Sequence, residues 1–222
     1  MIKALNLSKK YTLKGRSILA LNDVNLEVRN GEFVTIIGPS GSGKSTLLLA
    51  LGGLIRPTSG KVFINGKSIY KLSVKERAEI RKTTLGFVFQ TFNLIPYLTA
   101  LENVQIPLYL AGKSPVEQKQ IVVQLLDKVG LSDRLHHKPA ELSVGQQQRV
   151  ALARTLANNP PIILADEPTG SLDPSLSQEM IGYLRSLHEE GHTIVMVTHD
   201  HTATKYATRS LSLIDGILSE RR

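Results

Sequence analysis

One stretch restricts this chain more than any other. Gly38-Pro39-Ser40-Gly41-Ser42-Gly43-Lys44-Ser45-Thr46 satisfies the phosphate-loop pattern G-x-x-x-x-G-K-[ST] at every fixed position. A polyphosphate has to be wrapped by backbone N–H groups, and glycines permit both the close approach and the positive φ angles of such a wrap. Lys44 brings positive charge to the β- and γ-phosphates, and the Ser45 hydroxyl suits Mg²⁺. The flanks agree. Phe33-Val34-Thr35-Ile36-Ile37 reads as a buried strand entering the loop, and Thr46-Leu47-Leu48-Leu49-Ala50-Leu51 as the helix leaving it. A glycine-rich surface loop with a chance lysine needs neither that strand nor the helix dipole behind the loop. The expectation is an α/β chain built around a nucleotide site.

The 222 residues are long for one domain of ~100–150 residues and short for two, which suits one core with an inserted subdomain. No apolar run approaches the ~18 residues that span a bilayer, and Met1-Ile2-Lys3-Ala4-Leu5-Asn6 is not a signal peptide. The chain is therefore expected in the cytoplasm. The absence of cysteine removes disulfides, thiolate metal sites and cysteine nucleophiles. A net charge of +8 raises nucleic acid as a partner, but the basic residues are scattered and only Lys9, Lys10, Lys14 and Arg16 cluster loosely. With no Trp to supply a stacking platform, a solvated surface or attraction to an anionic leaflet fits the charge better, and no nucleic acid is expected.

In chain order, residues 2–7 and 20–28 read as strands, the first alternating throughout and the second over its second half, and Asn30-Gly31 predicts a hairpin into the strand before the phosphate loop. Tyr11, between the first two strands, offers an aromatic face. Asn65-Gly66 predicts a second hairpin, and Ser73-Val74-Lys75-Glu76 is a capping box that starts a short helix before the strand at residues 85–89. Helix signals then run from Thr91 to Asn159. Thr99-Ala100-Leu101-Glu102, Ser114-Pro115-Val116-Glu117 and Ser143-Val144-Gly145-Gln146 are three more capping boxes, the second opening a helix to Gly130. The organisation read from this is a core with its β part at 1–90 and 160–222, and a helical insertion at 91–159. Asp173-Pro174 caps a helix to about Glu190-Gly191, and Asp215-Gly216 closes a last hairpin.

Several strands deliver polar groups at their ends, where α/β proteins bind ligands. Gln90 follows residues 85–89 and is either a surface residue or a metal and water ligand. Ile162-Ile163-Leu164-Ala165 delivers Asp166-Glu167, where the first acid suits Mg²⁺ through water and the second can orient or deprotonate an attacking water. Two charges directly after a buried strand need a partner, which a solvated acidic turn lacks. Residues 193–198 end in His199. The turn at Ser143 adds a helix N-terminus with a hydroxyl and free N–H groups, suited to an anion.

Tyr11, the phosphate loop, Gln90, Leu142-Ser143-Val144-Gly145-Gln146, Asp166-Glu167, Ser171-Leu172-Asp173 and His199 in this order resemble the ATP-binding cassette of ABC transporters from end to end. The resemblance implies a RecA-like phosphate-loop NTPase core, an N-terminal antiparallel β subdomain and an inserted helical subdomain. It implies ATP hydrolysis with Mg²⁺, driving a separate membrane permease from its cytoplasmic face. It also implies a head-to-tail homodimer that sandwiches two ATP molecules. Carried over by position, Tyr11 stacks on adenine, Gly38 to Thr46 hold the phosphates, and Ser45 and Gln90 touch Mg²⁺ with Asp166 behind them. Glu167 becomes the base and His199 the γ-phosphate contact. Ser143, Gly145 and Gln146 face the ATP of the opposite subunit, and Asp173 communicates across the dimer. Val144 stands where the signature usually has its first glycine, and a β-branched residue there restricts the backbone.

Residues 87–96, 98–104 and 145–151 are similar to the subfamily serving lipoprotein-releasing and macrolide or peptide exporters, with the cell-division ATPases sharing much of the pattern. The end at Arg222 speaks against importer ATPases with a regulatory extension. A soluble ABC protein acting on DNA or ribosomes would carry paired cassettes or a long coiled coil. Thr91-Phe92-Asn93-Leu94-Ile95-Pro96-Tyr97-Leu98 is unusually apolar for a loop and is expected partly to pack inward but mainly to form an exposed contact patch; the resemblance implies that this region forms the groove receiving a short cytoplasmic helix of the permease.

Overall fold

A computed structural model describes residues 1–13, 16–170 and 172–220. Lys14 of the loose basic cluster and Ser171 of the motif before Asp173 lie outside the described residues. The strands are β1 (Ile2–Leu13), β2 (Arg16–Val28), β3 (Phe33–Ile37), β4 (Ser59–Ile64), β5 (Lys67–Ser68), β6 (Leu85–Phe89), β7 (Ile162–Asp166), β8 (Thr193–Thr198), β9 (Arg209–Ile214) and β10 (Ile217–Glu220). The α-helices are α1 (Lys44–Leu51), α2 (Val74–Thr84), α3 (Ala100–Leu110), α4 (Pro115–Lys128), α5 (Val144–Leu156) and α6 (Pro174–Glu189).

Two sheets organise them. A four-stranded antiparallel sheet runs β2-β1-β4-β5, and a six-stranded sheet runs β10-β9-β3-β8-β7-β6. In the second, β9, β3, β8, β7 and β6 are parallel and β10 is antiparallel at one edge. All five residues of β3 and all six of β8 are buried, as strands covered on both faces require. Their side chains alternate between two cores. Phe33, Ile163, Ala165, Ile194 and Met196 join the buried residues of α3 to α6, whereas Val34, Ile36, Leu164, Val195 and Val197 join α1 and the antiparallel sheet. α1 is short and apolar on most sides because it lies inside the second of these cores.

The hairpin expected at Asn30-Gly31 does not form. Gly31 does turn the chain, at φ +73°, but β2 belongs to the antiparallel sheet and β3 pairs only in parallel, with β8 and β9. A strand buried at every residue and apolar at four of its five positions gains more between two covered parallel neighbours than beside β2, whose other face is exposed. The two other hairpins form. Asn65-Gly66 and Asp215-Gly216 both carry paired positive φ angles, joining Ile64 to Lys67 and Ile214 to Ile217. The four capping boxes at Ser73, Thr99, Ser114 and Ser143 are present in both hydrogen bonds, and Asp173 caps α6 at the Leu176 N–H.

The apolar segment after Gln90 divides residue by residue. Leu94 packs against the helical core, while Tyr97 is 71% exposed. The segment is fastened by Asn103, a fully buried amide on α3. Its Oδ1 accepts from the Ile95 N–H at 2.8 Å, and its Nδ2 reaches the carbonyls of Ile95, Leu98 and Thr99.

Candidate active site

The parallel register brings the site together. Ile37 stands opposite Thr198, Val197 opposite Asp166, and Asp166 opposite Phe89. The residues that follow these strand ends, Gly38, His199, Glu167 and Gln90, therefore emerge along one sheet edge. His199, Glu167 and Gln90 line a cleft of about 490 Å³ together with Ser40, Gly41, Gly43, Lys44, Ser45, Thr46 and Ala20 from β2. Ala20 had no signal in the sequence; its carbonyl matters because a Cβ on Gly43, at φ +101°, would lie 2.1 Å from it. Gly38 is equally confined, with the Leu213 carbonyl 2.0 Å from where its Cβ would stand. Pro39, Ser40 and Gly41 are exposed at the lip.

α1 starts on Gly43 with no side-chain cap, whereas α2 to α6 each begin with a Ser, Thr or Asp that accepts from the first turn. Its first N–H groups are left for an anion. Within the loop the Ser42 hydroxyl is buried without a hydrogen-bond partner. Lys44 is buried and turned onto its own loop, donating to the carbonyls of Gly38 at 2.8 Å and Pro39 at 3.0 Å.

Lys44 also meets Glu167 at 3.3 Å. The other oxygen of Glu167 accepts from His199, at 2.8 Å from Nδ1 and 3.2 Å from the backbone N–H. One carboxylate is thus suspended between a lysine and a histidine delivered by different strands. Glu167 itself takes a left-handed backbone, φ 46°, which turns the chain sharply after β7. Asp166 Oδ1 accepts from the Ser45 hydroxyl at 2.9 Å. Burial pushes the Asp166 carboxyl above the usual range, opposed by the Ser45 hydrogen bond and assisted by Glu167.

The remaining sequence-predicted residues do not line this cleft. Tyr11 is on β1, 41% exposed, with the Lys9 ammonium 5.0 Å from its ring centroid. Ser143, Gly145 and Gln146 form the first turn of α5, with Ser143 Oγ accepting from the Gln146 N–H and Gln146 Oε1 from the Ser143 N–H. Gly145 is buried, and a Cβ there would stand 2.6 Å from Leu176 Cδ2, so its missing side chain lets α6 approach. Asp173 accepts from the Leu176 N–H at 3.0 Å as the N-cap of α6, one turn from where Leu176 covers Gly145. Val144 is the first helical residue of α5 and is 49% exposed. Asn103 and Arg154 were missed. Asn103 was visible as a polar residue on the apolar stripe of α3, but Arg154 carries no such mark.

Residues 21–170 match the family model described as ABC transporter. The chain belongs to the ABC transporter family. It is 49% identical over 224 residues to an uncharacterised ABC transporter ATP-binding protein of Thermotoga maritima, covering 100% of this chain and 96% of the relative. It is 45% identical over 216 residues to the macrolide export ATP-binding/permease protein MacB of Vibrio parahaemolyticus, covering 97% of this chain but 33% of that protein. Its fold superposes with a TM-score of 0.92 and 45% identity, over 100% of this chain and 99% of the other, on the ATP-binding cassette MJ0796 of Methanocaldococcus jannaschii. That cassette was solved as a dimer in a post-hydrolysis state bound to ADP and Pi. This ABC cassette is an ATPase, and its work is to energise a membrane transporter.

Proposed function

We propose that the chain forms half of a head-to-tail ATP sandwich and drives a separate permease of the macrolide-exporting or lipoprotein-releasing kind. The observation that carries this reading is the division of the site. The cleft gathers the phosphate loop, Gln90, Glu167 and His199, while Ser143, Gly145, Gln146 and Asp173 present a helix start outside it. A second copy turned head to tail brings that start, on residues 91–159, to the open side of the cleft and completes it. The dimer of MJ0796 and the fused permease of MacB support the two partnerships. A cassette bound to its permease in this way works at the cytoplasmic face of the membrane, and among the described residues no helix is long and apolar enough to cross it.

The uncapped start of α1 and the partnerless Ser42 hydroxyl fit a polyphosphate held by Gly38 to Thr46. The Ser45 hydroxyl, the Asp166 carboxylate and the Gln90 amide form an oxygen donor set suited to Mg²⁺. When bound, Mg²⁺ neutralises charge on the β- and γ-phosphates. On ATP entry Lys44 exchanges the Gly38 and Pro39 carbonyls and Glu167 for phosphate oxygens. Glu167, released on that side, accepts a proton from water as the water oxygen attacks the γ-phosphorus and the bond to the ADP oxygen breaks. His199 keeps its bond to Glu167 and meets the γ-phosphate. Tyr11 offers adenine the ring face that Lys9 leaves open.

The permease helix fits a groove of about 700 Å³ beside the free edge of β6, walled by Lys75 and Arg81 of α2, Phe87 and Phe89 of β6, Leu110 of α3 and Arg154 of α5. Of residues 91–98 only Asn93 lines it, so the contact rests mostly on α2 and β6 rather than on the apolar segment. The test of the hydrolytic reading is Glu167→Gln. It should retain ATP binding, lose ~10²–10⁴ of the hydrolysis rate and accumulate as an ATP-bound dimer. A fall of less than about tenfold, well under that range, would remove Glu167 from the role of base.

A further inference from the structure

Gln90 is flanked on both sides by contacts from a single helix. α5 donates the Thr155 hydroxyl to the Phe87 carbonyl at 2.6 Å, and the two Nη groups of Arg154 to the carbonyls of Phe92 and Asn93, each at 2.7 Å. Gly86 allows the helix this close to β6, since a Cβ there would lie 2.8 Å from Thr155 Cγ2. Arg154 is half-buried, and this partial burial holds its pKa below the usual arginine value. Among the described ion pairs none involves Arg154, so the two carbonyls take the place of a carboxylate. The planar guanidinium suits this use, since its fork can hold two carbonyls at once.

We propose that Arg154 is a positioning residue for Gln90, its planar fork fixing the Phe92 and Asn93 carbonyls so that the Gln90 amide stays at the mouth of the phosphate-loop cleft. The inference rests on the reading of Gln90 as part of the hydrolytic site. It adds a mechanical link. α5 is 13 residues long, ~20 Å at ~1.5 Å per residue; its start is the Ser143 turn and its last turn holds the segment behind Gln90. A displacement of α5 when Ser143 meets the second copy is therefore transmitted to residues 92–93, and a helix docked in the groove meets the same guanidinium.

Arg154→Lys keeps the charge and the aliphatic stem but cannot hold two carbonyls in one plane. In the purified full chain it should lower kcat by about tenfold, within the ~10²-fold loss that a ~1 Å misplacement brings. ATP affinity measured in EDTA, which needs the phosphate loop but not Gln90, should stay within about twofold of wild type. Gln90→Ala should also lower kcat, and adding Arg154→Lys to it should lower kcat no further, because both changes remove the same contribution. Multiplying losses in the double variant, or a wild-type kcat in Arg154→Lys, would overturn the proposal while leaving Gln90 in the site. A wild-type kcat in Gln90→Ala would overturn the hydrolytic reading of Gln90 and this proposal with it. Arg154→Met is the harsher change, and Arg154→Lys keeps the test available if it fails to fold.

Discussion

Replacing Asn103 should unfasten the segment that follows Gln90. Its side chain is 0% exposed and sits opposite four backbone groups: the Ile95 N–H at 2.8 Å and the carbonyls of Ile95, Leu98 and Thr99 at 3.2, 3.1 and 3.0 Å. Two amide hydrogens serve three carbonyls, so three bonds are made at any one time. At ~1 kcal/mol net for each, Asn103→Ala loses ~3 kcal/mol, and a stranded Ile95 N–H brings the total to ~3–5 kcal/mol. Asn103→Leu fills the space but strands the same groups, for a loss of ~2–4 kcal/mol. Against a total stability of ~5–15 kcal/mol the alanine change is severe, lowering Tm by ~6–20 °C at ~2–4 °C per kcal/mol. Urea titration gives the free energy, and amide exchange at Ile95 reports whether the opening is local or global. A loss below ~1 kcal/mol for both variants, with Ile95 exchange unchanged, would show that the segment holds itself without Asn103.

Leu94→Ser should cost ~1–3 kcal/mol because Leu94 packs against the helical core, whereas Tyr97→Ser, at 71% exposure, should stay within ~0.5 kcal/mol. Equal melting temperatures for the two would refute that division. Hydrogen bonds to the side chain and backbone of Ser73 and Ser114, and to the backbone and side chain of Thr99, hold Glu76, Glu117 and Glu102 below the usual carboxylate range. Their contribution is present above the unfolded value of ~4.3 and is lost as pH falls through the lowered folded values. Acid titration of the triple Glu→Gln variant should therefore show a flatter decline, and an identical decline would exclude the effect. Light scattering should find the chain mainly monomeric without nucleotide and dimeric with ATP in the Glu167→Gln background; a nucleotide-independent dimer would contradict the sandwich.

The sequence alone determined whatever depends on neighbours within a few residues. Ser73, Thr99, Ser114 and Ser143 find their capping partners three positions on, and Asn65-Gly66 and Asp215-Gly216 turn the chain by their own backbone preferences. The phosphate loop belongs with them, because glycine spacing, Lys44 and the uncapped helix start act within nine residues. Strand ends bearing Gln90, Asp166-Glu167 and His199 were visible as apolar runs stopping at polar groups. Tertiary structure decided which backbone each distant group meets. Asn30-Gly31 reads locally as a hairpin, yet β3 pairs with β8 and β9 because only a doubly covered sheet buries all five of its residues. Arg154 meets carbonyls 61 and 62 residues away, and Ala20 closes on Gly43 from another sheet. Hydrogen bonding to a carbonyl is open to any arginine, and nothing in the residues near Arg154 specifies which carbonyls will be offered. That choice is made when α5 packs against β6, by the volume of the core between them and by the absence of a side chain at Gly86.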